Sequence, residues 1–170
     1  TEVGKGKVIG VASMHMSNDW NTNCVLGVEN IVTPMGYEMN HTNAMGQTSQ
    51  QVKDVENFIA AKVNGIVICG GEGIAFTDVS LKAKAAGIPL VGIDMFLPGA
   101  VASVEADNYA GGAQQGLFLA KAMGGEGKVI VLDTPGWKSL YIRSLMSTAV
   151  LSQFDGIKVL NSYEVFGDDP

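Results

Sequence analysis

The sequence predicts an α/β protein built from doubly wound parallel sheets in two lobes, and three observations carry that expectation. Short apolar, β-branched runs begin near residues 7, 37, 65 and 88, with one helical pattern between each pair. Glycine supplies 22 of 170 residues, about 13% against a usual share of about 7%, as many short strand–helix turns require. The rhythm breaks at Pro98-Gly99, and a new helix–strand series starts after it. Strand–helix–strand repeats cross over right-handedly, which makes the strands parallel and places helices on both faces.

Each element has its own signal. Residues 7–13 (KVIGVAS) read as a buried strand. Ser17 or Asn18 caps the helix that follows, and Asp19 suits its positive first turn. Trp20, Cys24, Val28, Ile31 and Val32 recur at helical spacing until Pro34 and Gly36 stop it. Residues 37–43 form the second strand. Thr48 and Gln51 have the spacing of a capping box ahead of the stripe Val52, Val55, Phe58, Ile59 and Val63. Residues 65–70 (GIVICG) are a third, wholly apolar strand, 79–86 a helix ended by Gly87, and 88–94 (IPLVGID) the fourth strand. A fifth strand over 101–106 leads to Asp107-Asn108, which cap a helix over 109–123. Loop 124–127, strand 128–133, helix 139–153 and strand 157–165 complete the series. The lobes are expected at 1–103 and 104–170, with a crossover segment over about 95–106.

Composition and failed motifs exclude several functions. Eleven basic against seventeen acidic residues leave a net charge of −6, which opposes a sequence-independent grip on nucleic acid. With 46% apolar residues the chain has enough to bury a core, and no apolar run is long enough to span a bilayer. Gly70-Gly-Glu-Gly73 has Phe76 where a dinucleotide fingerprint needs its third glycine. Gly124-Gly-Glu-Gly-Lys128 precedes a strand, whereas a phosphate loop must open a helix. Cys24 and Cys69 lie in apolar stretches and read as buried thiols, while His15 and His41 have no zinc-type spacing. His15 beside Asp19 lacks a nucleophile partner and reads as a polar ligand contact. No catalytic residue, metal or cofactor is therefore assigned. The opening Thr1-Glu2-Val3-Gly4 is expected of a mature chain whose signal peptide has been removed.

Open parallel sheets bind ligands beyond the carboxyl ends of their strands. Those ends carry Ser13 to Asn21, Gly70 to Glu72, and Asp94-Met95-Phe96; the second lobe offers Thr134 to Trp137 and then Arg143. Two tryptophans, a histidine, an aspartate and an arginine at strand ends make a polar site with stacking surfaces.

These pieces together resemble a known family. KVIGVAS (7–13) followed by Trp20, GY (36–37), TSQQVKDVENFIAAKVNGIVI (48–68), AGIPLVGID (86–94), VEADNYAGG (104–112) and GKVIVLD (127–133) are similar, in order and spacing, to the type I periplasmic binding proteins. The nearest subgroup is the ribose-binding-like receptors of ABC sugar importers, and the likeness runs from Lys7 to about Val165. The resemblance implies that Trp20 stacks on a ligand with His15, Asn18, Asp19 and Asn21 alongside. It implies that Asp94 binds hydroxyls beside Met95, that Arg143 binds from the second lobe with Trp137 near it, and that Asp107 and Asn108 lie next to the hinge. Three departures stand out. Met95 occupies a position that is often Arg in sugar binders, and Met14, Met16 and Phe96 join it in a greasier rim. Pro34 interrupts the family's first helix. The family continues beyond Gly167-Asp-Asp-Pro170, so the second lobe is expected to be incomplete and to be completed by the rest of a longer chain or by another copy.

The function so implied is a non-enzymatic receptor in the periplasm, or tethered outside the membrane where no outer membrane exists. It would trap a small sugar, polyol or similar ligand between its lobes and deliver it to an ABC permease. The alternative is the ligand-sensing domain of a transcriptional repressor or receptor kinase. A third reading, an enzyme on a doubly wound sheet, lacks a nucleophile–base pair.

Overall fold

In the computed structural model, which describes residues 3–135 and 137–165, the chain divides into one unit ending at Glu105 and another starting at Ala106. The opening Thr1-Glu2 and the closing Gly167-Asp-Asp-Pro170, on which two sequence expectations rest, lie outside the described residues.

The first unit is a parallel sheet of β1 (Val8–Ser13), β2 (Glu38–Asn43), β3 (Gly65–Cys69), β4 (Leu90–Ile93) and β5 (Ala102–Val104), in the order β2-β1-β3-β4-β5. Ser13 lies opposite both Asn43 and Cys69, Cys69 opposite Ile93, and Ile93 opposite Val104. The carboxyl ends are therefore level, and the loops after them leave from one edge.

Helices α1 (Asp19–Val32), α2 (Thr48–Ala60) and α3 (Thr77–Ala85), with a 3-10 turn over Gly73–Phe76, cover the two faces. Alternation along the strands decides which side chain meets which helix. Ala12, Ile66, Ile68 and Leu90 pack with Val55 and Phe58 of α2 and Val79 and Ala83 of α3. Val11, Val67 and Cys69 face the other way, onto Cys24, Val25 and Val28 of α1. Gly10 lets α2 close on the sheet, since a Cβ there would lie 2.6 Å from the Phe58 ring. Each fully buried aliphatic side chain contributes about 1.5–3 kcal/mol.

The structure corrects several expectations here. Thr48 and Gln51 form no capping box: Gln47 holds the cap position without a side-chain bond, and Gln51 is wholly buried. Gln51 stands four residues before Val55 and seven before Phe58, so it shares their buried face and cannot reach back to the helix start. Ile31 leaves the buried stripe of α1 and is 64% exposed. Ten residues beyond the buried Asn21 it has turned off the sheet-facing side, to which Val32 returns after three full turns. The fifth strand shrinks to three exposed residues on the sheet edge.

The second unit contains α4 (Asn108–Ala122), β6 (Glu126–Asp133), α5 (Lys138–Leu151) and β7 (Gly156–Glu164). β6 and β7 pair in parallel, with a register shift between Val129 and Ile130. Helices α4 and α5 approach closely along a row of small residues. A Cβ on Gly112 would lie 2.5 Å from the Arg143 carbonyl oxygen, and one on Gly116 would lie 2.6 Å from that of Ser147. Ala120, Val129, Leu151 and Ile157 form the core beneath. The strands of this unit carry apolar residues on both faces (VIVL in β6, IKVL in β7). Among the described residues only Val129 of β6 is buried, while Ile130 and Leu132 are exposed.

Candidate functional site

The loop after β1 is shaped by its own polar side chains. Asn18 is the N-cap of α1, its Oδ1 accepting from the Asn21 backbone N–H at 2.9 Å. The Asn21 side chain is buried, with Nδ2 3.1 Å from Asn18 Oδ1 and 3.3 Å from His15 Nε2. On the other side of the ring, Ser17 Oγ lies 2.8 Å from His15 Nδ1. His15, Ser17, Asn18 and Asn21 thus form one connected polar group. Asp19 is exposed in the first turn of α1, where the helix dipole favours an acid.

Trp20 comes next and is 44% exposed. Its ring rests against the β3 end: a Cβ built on Gly70 would lie 3.3 Å from Trp20 Cζ3 and 3.0 Å from Asn21 Oδ1. Gly70 has φ +70 and Gly71 φ +124, so the chain turns there in a conformation that L side chains rarely adopt. The third loop meets the second, since a Cβ on Gly73 would lie 3.4 Å from the Phe96 carbonyl oxygen. The structure thus brings His15, Asn18, Trp20 and Asn21 together over Gly70, and Asp94 directly follows β4, the strand next to β3, on the same edge.

Asp94 has φ +60, and its backbone N–H donates to the Val104 carbonyl at 2.8 Å. This left-handed turn corrects the assignment of Met95. It sends the chain back over Gly92, where a Cβ would lie 2.8 Å from the Met95 carbonyl oxygen, and Met95 is buried in the main core. Met14 is buried as well; of the expected greasy rim, Phe96 is exposed and Met16 half-buried.

Electrostatics separate the reactive groups from the polar ones. Burial pushes the Cys69 thiol up to about 12, with a further push from Cys24. Burial also raises Cys24, and the charge of Asp94 adds to it. Both thiols are thereby poor nucleophiles at neutral pH. His41, on the edge strand β2, has its pKa lowered by burial against an opposing effect of Glu29.

In the second unit, Asp107 caps α4 through its side chain, which accepts from the Ala110 N–H at 2.9 Å. Asn108 is buried and accepts a 2.6 Å hydrogen bond from Arg143 Nε. Arg143 also borders a groove of about 410 Å³ lined by Leu119, Val129, Leu132, Leu140 and Leu151. Trp137 is half-buried and precedes α5, its carbonyl accepting from the Tyr141 N–H. Within this unit the structure joins Asn108 to Arg143.

Two contributors escape a reading of the sequence. Gln51 reaches the ends of β1 and β3 from α2, and Ser13 holds His41 at 2.9 Å. The available signal for Gln51 was its spacing of four and seven residues from the apolar Val55 and Phe58. For the Ser13–His41 pair there was none, because 28 residues separate them.

A side chain that stacks, amides that donate and accept, and a carboxylate suit the capture of a small hydroxylated molecule. The xylitol-binding protein of Mycolicibacterium smegmatis is 28% identical over 157 residues, 91% of this chain and 45% of its own length. The ribose import binding protein RbsB of Bacillus subtilis is 29% identical over 131 residues, 75% of this chain and 43% of its own length. A periplasmic solute binding protein from Actinobacillus succinogenes, solved with bound D-allose, is 28% identical with a TM-score of 0.84, covering 93% of this chain and 58% of that one. The chain thus spans less than half the length of the curated relatives it matches. The family model for the periplasmic binding protein domain matches residues 9–170, and the chain belongs to that family.

Proposed function

We propose that this chain is part of a non-enzymatic solute receptor that captures a small sugar or polyol outside the cytoplasmic membrane and passes it to an ABC permease. The observation that carries the reading is the Trp20 ring lying against Gly70 with Asn21 beneath it and His15 and Asn18 alongside. An aromatic face takes the apolar side of a sugar ring or polyol chain, and fixed amides and carboxylates select its hydroxyls. His15, Asn18, Asn21 and Asp94 are the proposed hydroxyl contacts in the first unit. Arg143, held by Asn108, is the proposed contact in the second, with Trp137 as a further stacking surface. The names of the relatives, which include xylitol, ribose import and bound D-allose, support this ligand class.

Calorimetric titration of the protein with xylitol, D-ribose and D-allose tests it. At least one should bind, and Trp20→Ala should weaken that binding at least tenfold. The melting temperature should fall by much less than removal of a core aromatic would cause, which costs about 3–5 kcal/mol. No binding of any of the three, or affinity unchanged in Trp20→Ala, overturns the proposal.

A further inference from the structure

Gln51 is wholly buried, and it shares the buried side of α2 with Asp54, Val55 and Phe58. Its Nε2 lies 2.9 Å from the Gly70 carbonyl oxygen, 3.1 Å from that of Ala12 and 3.4 Å from that of Cys69. Ala12 belongs to β1, Cys69 ends β3, and Gly70 starts the turn on which Trp20 rests. The amide therefore ties together the two strands whose loops form the site. Its own Oε1 is buried and has no hydrogen-bond partner among the described residues. A buried amide with an unmet acceptor destabilises a core relative to an apolar side chain of the same shape. A Cβ on Gly71 would lie 2.8 Å from that Oε1, so the amide sits close against the glycine turn.

The geometry points to Gln51 as a positioning residue for ligand capture: by fixing the Gly70 peptide against β1, it sets the surface on which the Trp20 ring lies and hence the ring's orientation toward ligand. This rests on the reading of the site as a sugar or polyol site, and it adds a residue that never touches ligand. The mechanism is mechanical. Gly70 and Gly71 have no side chains to hold their peptides, so the turn is as well placed as its carbonyl bonds make it.

The test separates positioning from stability. Trp137→Phe leaves Trp20 as the sole tryptophan, since the chain has two. In that background Gln51→Met, which keeps the volume and removes the amide, should red-shift Trp20 emission and at least double its acrylamide quenching in the folded protein. Val55→Ala, a wholly buried change on the same helix, should lower the melting temperature and leave Trp20 emission where it was. In the protein with both tryptophans, Gln51→Met should weaken binding of whichever of xylitol, D-ribose or D-allose is taken by at least tenfold. If Gln51→Met does not fold, Gln51→Asn keeps an amide but withdraws it from Gly70 and should shift Trp20 in the same sense. Native-like Trp20 emission in every folded Gln51 variant overturns the inference, and so does an equal shift in Val55→Ala. Failure of the wild-type protein to bind any of the three compounds refutes the sugar reading alone, because the fluorescence arm needs no ligand.

Discussion

His41 illustrates how a neighbour determines what a side chain does. Ser13 Oγ donates to the Thr42 carbonyl at 3.0 Å, which uses the only proton of the hydroxyl. His41 Nε2, 2.9 Å away, must therefore donate to Ser13, and the neutral ring carries its proton on Nε2. Burial lowers the pKa of this ring below its ordinary value, while Glu29 acts in the opposite sense. Between the lowered folded value and the unfolded value of about 6.5, the unfolded chain binds more protons. Stability is then complete above about pH 6.5 and is lost as the pH falls below it. The melting temperature should decline from pH 7 to pH 5, and His41→Gln should flatten that decline. Equal slopes in the two proteins would assign the decline to other groups. Asp94 makes the complementary point, because its left-handed backbone, more than its charge, decides that Met95 turns into the core.

Helix pairing gives the second unit its definition. Gly112, Gly116 and Ala120 recur every four residues on one side of α4, and the backbone of α5 lies directly against the two glycines. A methyl group on Gly112 meets the Arg143 carbonyl oxygen at 2.5 Å, a contact that backbone cannot yield without moving the helix. Gly112→Ala should therefore destabilise this unit by about 1–3 kcal/mol, the usual cost of overpacking. It should also displace Arg143 from Asn108. Gly111→Ala is the control, because a Cβ there meets open space. Chemical denaturation of the two variants checks this, and equal midpoints would refute it. Elements like these were largely legible in the sequence. The Asn18 and Asp107 caps, the alternation of strand and helix and the breaks at glycine all depend on neighbours within a few residues. What escaped depends on distant pairing. Gln51 reads as a helix cap until β1 and β3 are set beside α2, and Met95 reads as a rim residue until the turn at Asp94 is seen.

At the scale of the whole molecule, the two units differ in how fully their sheets are clothed. The first has five strands with helices on both faces, whereas the second has two strands among the described residues and exposes Ile130, Leu132, Leu160 and Tyr163. A two-stranded sheet is marginal alone, and clustered apolar surface invites association. The 170-residue chain produced by itself should self-associate as its concentration rises, and added salt should strengthen this by screening the net charge of −6. Substituting Leu132→Lys should weaken the association. Sedimentation velocity over a range of concentrations decides it, and a single monomeric species throughout would count against the prediction. The first unit has a consequence of another kind. β1 leaves the ribosome before β2 and β3, yet its place lies between them. At about 5–20 residues per second, it waits several seconds with an open edge until β3 emerges. Nascent chains of this protein should therefore depend on holding chaperones during that interval, and synonymous codon changes that slow translation between residues 43 and 65 should lengthen it.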